Sequence, residues 1–380
     1  MKILDKYIIK EVALVSFVGF FIFTFLLIMN SLFVMSDMVI KYGISLFRVL
    51  YLLFLLLPST VAVTVPMAFL VGILLTYSRL VQDNEYYGMQ ASGISVRQIT
   101  RPSIYLALAV TFIMVLFNNY ILPRANIGYK KLYYDIVKKR SSIMLQEHTF
   151  INDFDNYVFY IGDKDNKDDT LKDIIVFVKN NDASKPAKVI VSHRGELMND
   201  EQSLRLALML EDGVIQLSSY NDPERLDLIK FTKNYVDLDV QGILRSRANP
   251  EDFKGTREMT AEELASEIKK GAQSKHDRNW LYIELYKKFS IPFAVLAFTV
   301  AGIPLGLMTK KGGRFLGIIF SLVLITIYYF LLSIGQNFGY IGKMDYMFAV
   351  WLPNFFLVAV GLLLFAYMLF SSAFKRKGRA

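Results

Sequence analysis

RLVQDNEYYGMQASGISVRQITR, residues 79–101, is a polar island in a chain that is 54% hydrophobic. It carries five charges, Arg79, Asp83, Glu85, Arg97 and Arg101, and it lies between two long apolar runs. From Arg79 to Ala91 there is no Pro and a single Gly, which predicts a short helix over about residues 79–93. Ser92-Gly93 then stops it, because Gly accepts the left-handed backbone that a helix end favours. A polar helix this short, set between two membrane spans, is too small to be a domain. It is expected to serve contact with the aqueous compartment, as a handle by which a soluble partner moves the membrane part.

Working outward, the flanking runs reach the ~20 residues that a bilayer-crossing helix needs. Before the island stand two predicted spans, about residues 12–35 and 49–77, the second containing Pro58 and Pro66. Those prolines are expected to kink or break it, which neighbouring helices make tolerable. After it comes a third span, about residues 102–122. Beyond Pro123 the texture changes: Asp, Lys and Asn become common, and NYVFYIG, DIIVFVK, AKVIVSH, LRLALMLEDGVIQLSS and DLIKFTKNYVDLDV alternate like strands. Asp212-Gly213 reads as a hairpin turn inside the fourth of these. Short strands with turn residues between them predict a sandwich or jelly-roll domain. Thr260 with Glu263 makes a capping-box pattern that starts a helix. That helix leads to Trp280–Lys288, an aromatic and basic belt suited to a membrane interface. Three more spans follow, about residues 289–308, 315–334 and 347–370.

The expected fold is therefore an α-helical membrane protein with six transmembrane helices, three and three, around an inserted β-jellyroll-like domain. The expected division is residues 1–123, 124–288 and 289–380. Mean hydropathy is +0.36, in keeping with an integral membrane protein. The first span is too long, and followed by too many others, for a cleaved signal peptide. Lys2, Lys6, Lys10, Arg79, Arg97, Arg101, Lys310, Lys311, Arg314, Lys375, Arg376, Lys377 and Arg379 fall in connections on one side. Lys41, Arg48 and Lys343 fall on the other. Thirteen against three predicts that both termini and the polar helix are cytoplasmic, and that the strand-rich domain is outside, periplasmic in a diderm bacterium. A net charge of +9 is explained by these flanks and by anionic lipid, with no nucleic-acid partner implied.

The chemistry is mostly one of exclusions. The chain has no Cys, and its three His are widely separated, so neither disulfides nor a metal site is expected. No G-x-x-x-x-G-K-[ST] loop, HExxH or GxSxG occurs, so nucleotide hydrolysis and the familiar hydrolytic enzymes are not predicted, and no cofactor is implied. The six spans carry no Asp, Glu, Lys, Arg or His, which argues against an ion-driven carrier. Energy for any transport must then come from a partner. Glu85 is the residue to receive it, since a carboxylate on an aqueous helix accepts charge-assisted hydrogen bonds. An exposed Glu is also ordinary surface, and spacing alone does not separate the two.

MQASGIS following Glu85, between spans 2 and 3, resembles the LptF/LptG (YjgP/YjgQ) family of lipopolysaccharide-export permeases. The resemblance extends to the opening LDKYIIKE, to IELYKKFSIPFAVLAFTVAGIPLGL entering span 4, to GGRFLGIIFSLVLITIYYFLLSIGQ in span 5 and to WLPN in span 6. It implies the membrane subunit of an ABC exporter, paired with a second permease and driven by a cytoplasmic ABC ATPase dimer. The polar stretch would be the coupling helix, with Glu85, Tyr86, Met89, Gln90, Ala91, Ser92 and Gly93 at the ATPase contact. The inserted domain would be the periplasmic β-jellyroll that passes lipopolysaccharide to a jellyroll bridge protein. The resemblance also implies basic residues for the lipid head group near the outer end of span 1. Lys41 matches one such position, whereas Val34 and Ile40 stand at two others. Either a paired permease supplies the missing charge or the head group differs. A permease of the same architecture for another envelope lipid or lipoprotein, and a non-transporting mechanical relay, are the competing expectations.

Overall fold

The computed structural model describes residues 3–40, 43–139, 148, 150–154, 157–165, 170–178, 188–200, 205–218, 226–238, 254–271, 275–309 and 313–377. Along the chain, α1 (Ile3–Ile40) and α2 (Leu46–Gln82) precede the short α3 (Glu85–Ala91) and α4 (Val96–Leu116). A π-helical turn, Phe117–Ile121, joins α4 to α5 (Leu122–Lys139). Then come β1 (Phe150–Phe154), β2 (Tyr157–Asp165), β3 (Thr170–Val178), β4 (Lys188–Asp200), β5 (Arg205–Ser218) and β6 (Leu226–Leu238). The described chain closes with α6 (Ala261–Lys270), α7 (Lys275–Met308), α8 (Gly313–Ile341) and α9 (Tyr346–Lys377). Among the described residues six stretches are long and apolar enough to cross a membrane, so the fold is the expected helical membrane protein with three spans on either side of a β-rich insertion. Pro58 and Pro66 lie inside α2 without ending it.

Contacts divide the chain into two units. The first is Met1–Leu32, Leu53–Gly128 and Lys254–Ala380. Its central shaft is α7: 67% of its apolar window is buried, against 17% for α1. The shaft is lined with small residues where neighbours come close. A Cβ on Gly302 would sit 3.1 Å from Leu70 and Ile73, and one on Gly306 would press on Tyr77. Small residues let helix backbones approach in this way. One apolar cluster joins Leu70 and Leu74 of α2 to Ala294, Phe298 and Ala301 of α7, Tyr328 of α8 and Val350 and Leu357 of α9. Polar ties reinforce it: the Asn354 amide of WLPN donates to the Ser290 carbonyl at 2.9 Å, and the Ser290 hydroxyl donates to the Val350 carbonyl at 2.8 Å. Away from water such bonds relieve groups that would otherwise be unsatisfied.

The second unit, Phe33–Leu52 and Tyr129–Phe253, holds a six-stranded antiparallel sheet whose strands pair in chain order, a meander. Phe159, Ile161, Leu171, Ile174, Val176, Ile190, Leu208, Leu210 and Val236 form its core. The Asp212-Gly213 pair does not reverse the chain: it lies within β5, with β4 and β6 pairing on both sides of it. Asp212 (φ 50°) and Asp173 of β3 (φ 51°) take left-handed backbone, and both fall at one level of the sheet, flanking His193 of β4. In β3 the buried positions Leu171 and Ile174 are three apart instead of two. A left-handed residue shifts the alternation by one place, whereas a hairpin would need two turn residues and a second strand.

Candidate functional site

The polar island folds as a clamp at one end of the first unit. α2 continues through Arg79 to Gln82, because nothing in that stretch breaks a helix, so Arg79 belongs to α2 and the separate helix begins at Glu85. Asn84 makes the break with left-handed backbone (φ 60°), a conformation Asn tolerates better than most residues. The other end of α3 is built by MQASGI. The Gly93 N–H donates to the Gln90 carbonyl and the Ile94 N–H to the Met89 carbonyl, each at 3.0 Å, with Gly93 at φ 85°. This is the two-bond Schellman stop, completed by Met89 and Ile94 packing against the same apolar cluster. The Ser92 hydroxyl donates to the Gly88 carbonyl at 3.0 Å. Three residues on, Ser95 and Gln98 form a capping box that starts α4.

Of the expected contact residues, Tyr86 is buried and Glu85 and Met89 are half-buried, while Gln90, Ala91, Ser92 and Gly93 are exposed. Tyr86 joins Ile8 and Val12 of α1, Tyr77 and Leu80 of α2, Ile99 of α4 and Ile303 of α7 in one cluster. The Gln90 amide donates to its hydroxyl at 2.9 Å. Burial, with a smaller push from Tyr87, raises the Tyr86 phenol above its ordinary value of 10. The ring thus stays neutral and anchors α3 to the bundle.

Glu85 sits at the rim of that anchor. The Tyr7 hydroxyl of α1 donates to Glu85 Oε2 at 2.7 Å, and Arg79 in turn donates to the Tyr7 oxygen. Arg79 Nη1 lies 3.3 Å from Glu11 Oε1, and Nη2 lies 3.8 Å from Glu85 Oε1. One guanidinium between two carboxylates leaves a net negative charge in this group. Neither carboxylate is enclosed, with side-chain exposures of 24% for Glu11 and 37% for Glu85. A carboxylate offers about four acceptor positions, so Glu85 keeps capacity for an outside donor. Sequence reasoning did not single out Tyr7 and Glu11, although their spacing of four residues puts them on one helix face. Lys41 lies outside the described residues. Val34 and Ile40 of α1 are exposed.

A second polar group sits beside the π turn. The Lys288 ammonium donates to the Asn118 carbonyl at 3.4 Å, and Glu284 meets Lys287 at 2.9 Å and Arg257 at 3.7 Å. Asn119 Oδ1 accepts the first N–H of α6, from Ala261, at 2.8 Å. Lys288 and Glu284 are buried. The belt expected to face a membrane interface is thus packed against protein here, and Trp280 stacks on Tyr340 with ring centroids 4.0 Å apart. The π turn loosens the normal ladder, and Lys288 answers one of its carbonyls. Among the described residues no group of His, Asp or Glu is arranged to hold a metal ion.

Two sets of three spans about a β-rich insertion, with a short polar helix locked onto them, define a multi-pass membrane protein. Residues 6–367 match the family described as "Lipopolysaccharide export system permease LptF/LptG", and the chain belongs to that family. It is also similar to the "Uncharacterized protein RP871" of Rickettsia prowazekii (strain Madrid E), 27% identical over 147 residues. That match covers 39% of this chain and 40% of the relative's length.

Proposed function

We propose that this chain is the transmembrane permease subunit of an ABC exporter that lifts lipopolysaccharide from the inner membrane toward a periplasmic bridge. A separate cytoplasmic ATPase dimer supplies the energy by gripping α3, and a second permease, a paralogue or another copy, completes the membrane part. The observation that carries the proposal is the family match over residues 6–367 together with its distinctive polar helix. Glu85 is the partner-facing carboxylate, accepting a charge-assisted hydrogen bond from an ATPase cation or backbone N–H. Tyr86 transmits load because it is buried, and Met89 to Gly93 shape the helix that the ATPase receives. Both chain ends and α3 are assigned to the cytoplasm and the sheet to the periplasm, which the thirteen-to-three excess of Lys and Arg supports. The membrane halves are residues 1–123 and 289–380, with residues 124–288 as the bridge-facing domain. Lys41 serves the lipid head group as one cation of a cluster shared with the second permease. The lining of the lipid path by apolar span residues follows from the acyl chains it must carry.

The test is co-purification. Glu85→Ala in membranes should retain insertion and yield while losing the ATPase. Recovery of the ATPase with the variant at normal yield would defeat the assignment of α3.

A further inference from the structure

α1 is the least enclosed of the six spans among the described residues, and its first turns hold it in the cluster that surrounds Tyr86. Ile8 and Val12 are fully buried in the cluster that contains Tyr86, while Phe17, Phe21 and Phe25 further along are more than half exposed. α1 also meets α2 through small residues, with Gly19 facing Ala68 at 3.6 Å and Gly72 too close to Ser16 and Val12 for any Cβ. A polar tie from α1 to α3 is the Tyr7 hydroxyl, which donates to Glu85 while accepting from Arg79. Arg79 also pairs with Glu11, one helical turn beyond Tyr7 on α1.

We propose that Tyr7 is a positioning residue which carries displacement of α3 into α1, so that force applied at Glu85 moves the span with the most exposed apolar face. This rests on the proposed role of α3 and deepens it. The hydroxyl sits between the acid a partner would grip and the guanidinium that fixes α1 to α2. A shift of Glu85 therefore either drags Tyr7 along or breaks a charge-assisted bond. The relay is distinct from docking: Tyr7 holds the inner side of Glu85, and the outer side is left to the partner.

The chain has no Cys, so one introduced at Phe25 takes a spin label at a single exposed site on α1. The complex of this chain with its ATPase, in vesicles containing lipopolysaccharide, is compared with and without ATP. In the parent protein the label spectrum should change on ATP addition. Tyr7→Phe should keep the ATPase bound, lose the spectral change, and lower lipid released per ATP hydrolysed by about tenfold, the scale of one charge-assisted hydrogen bond. A persisting spectral change with release within about twofold of the parent would overturn the relay. So would loss of the ATPase from Tyr7→Phe, since the hydroxyl would then serve docking. Glu85→Ala separates the two ideas. If it keeps the ATPase, the role of α3 fails. If it loses the ATPase while Tyr7→Phe behaves as the parent, the relay alone fails.

Discussion

Two glycines of the polar helix should respond to the same substitution with opposite signs. Gly88 lies inside α3 with ordinary helical backbone, and a Cβ there would meet nothing within 4 Å. Gly93 also has open space around it, but its φ of 85° is one that L residues disfavour. Gly88→Ala removes the entropic penalty of glycine and should stabilise α3 by about 0.5–1 kcal/mol. Gly93→Ala must hold a left-handed alanine and should destabilise the stop by about 1–2 kcal/mol. Neighbouring atoms cannot blur the comparison, since neither methyl touches any. The readout is amide hydrogen exchange at Gly93 and Ile94, whose N–H groups make the two stop bonds. Where α3 opens locally, exchange at these amides should slow by about two- to fivefold in Gly88→Ala and quicken by about five- to thirtyfold in Gly93→Ala. Gly93→Asn should fall between Gly93→Ala and the parent, since Asn tolerates this backbone better. Equal and same-signed changes for the two alanines would refute the assignment of MQASGI as a conformational stop.

Three further outcomes follow from the packing. Tyr86→Ala removes a buried ring and should cost about 3–5 kcal/mol, enough to erase exchange protection throughout α3, whereas Tyr86→Phe loses only the Gln90 bond and should cost about 1 kcal/mol. Glu263 is held below its ordinary value of 4.5, first by Lys254 and then by the Thr260 N–H. Its contribution to α6 is therefore present above the ordinary carboxylate range and lost as pH falls through the lowered folded value. Thermal unfolding in detergent between pH 6 and pH 3 should show this slope, and Glu263→Gln should flatten it. Lys288→Ala takes the ammonium from the buried Asn118 carbonyl and leaves a cavity, and should cost about 3 kcal/mol by the same melts, while Lys288→Met, which fills the space without the charge, should restore much of it.

What the sequence made legible was what depends on local chemistry. Six apolar runs announce six spans, and Thr260 with Glu263 forms the capping box read from four residues. Ser95 with Gln98 carries the same signal, two residues beyond the Gly93 stop. Asp212-Gly213 was misleading because one dipeptide serves a hairpin or a left-handed step within a strand, and only pairing on both sides decides. β1 went unread, being five residues without clear alternation. The burial of Glu284 and Lys288 was hidden for a different reason. Their partners, Asn118, Arg257 and Tyr340, lie far away in the chain, and a charged residue at the edge of an apolar run looks interfacial until its neighbours are known. The tie of Tyr7 to Glu85 spans 78 residues and was equally out of reach.

The division of labour within residues 84–94 bears on the proposed coupling role of α3. A seven-residue helix is too short to be stable alone, since nucleation is not recovered over so few turns. α3 is nevertheless bounded sharply, by left-handed Asn84 at one end and by the Schellman stop at Gly93 at the other. Met89 and Gly93, within the motif that most distinguishes the chain, have clear structural uses: Met89 packs under the stop and Gly93 permits it. What remains on the outer face is Tyr87, Gln90 and Ala91, beside the free side of Glu85. A helix so closed at both ends and pinned by Tyr86 has little freedom to bend. In the proposed coupling role, a push on any outer residue would be delivered at two places, the Tyr86 ring in the cluster of α1, α2, α4 and α7, and the Glu85 carboxylate on Tyr7. In that role the motif is a rigid handle, and the residues that would respond to it lie in other helices.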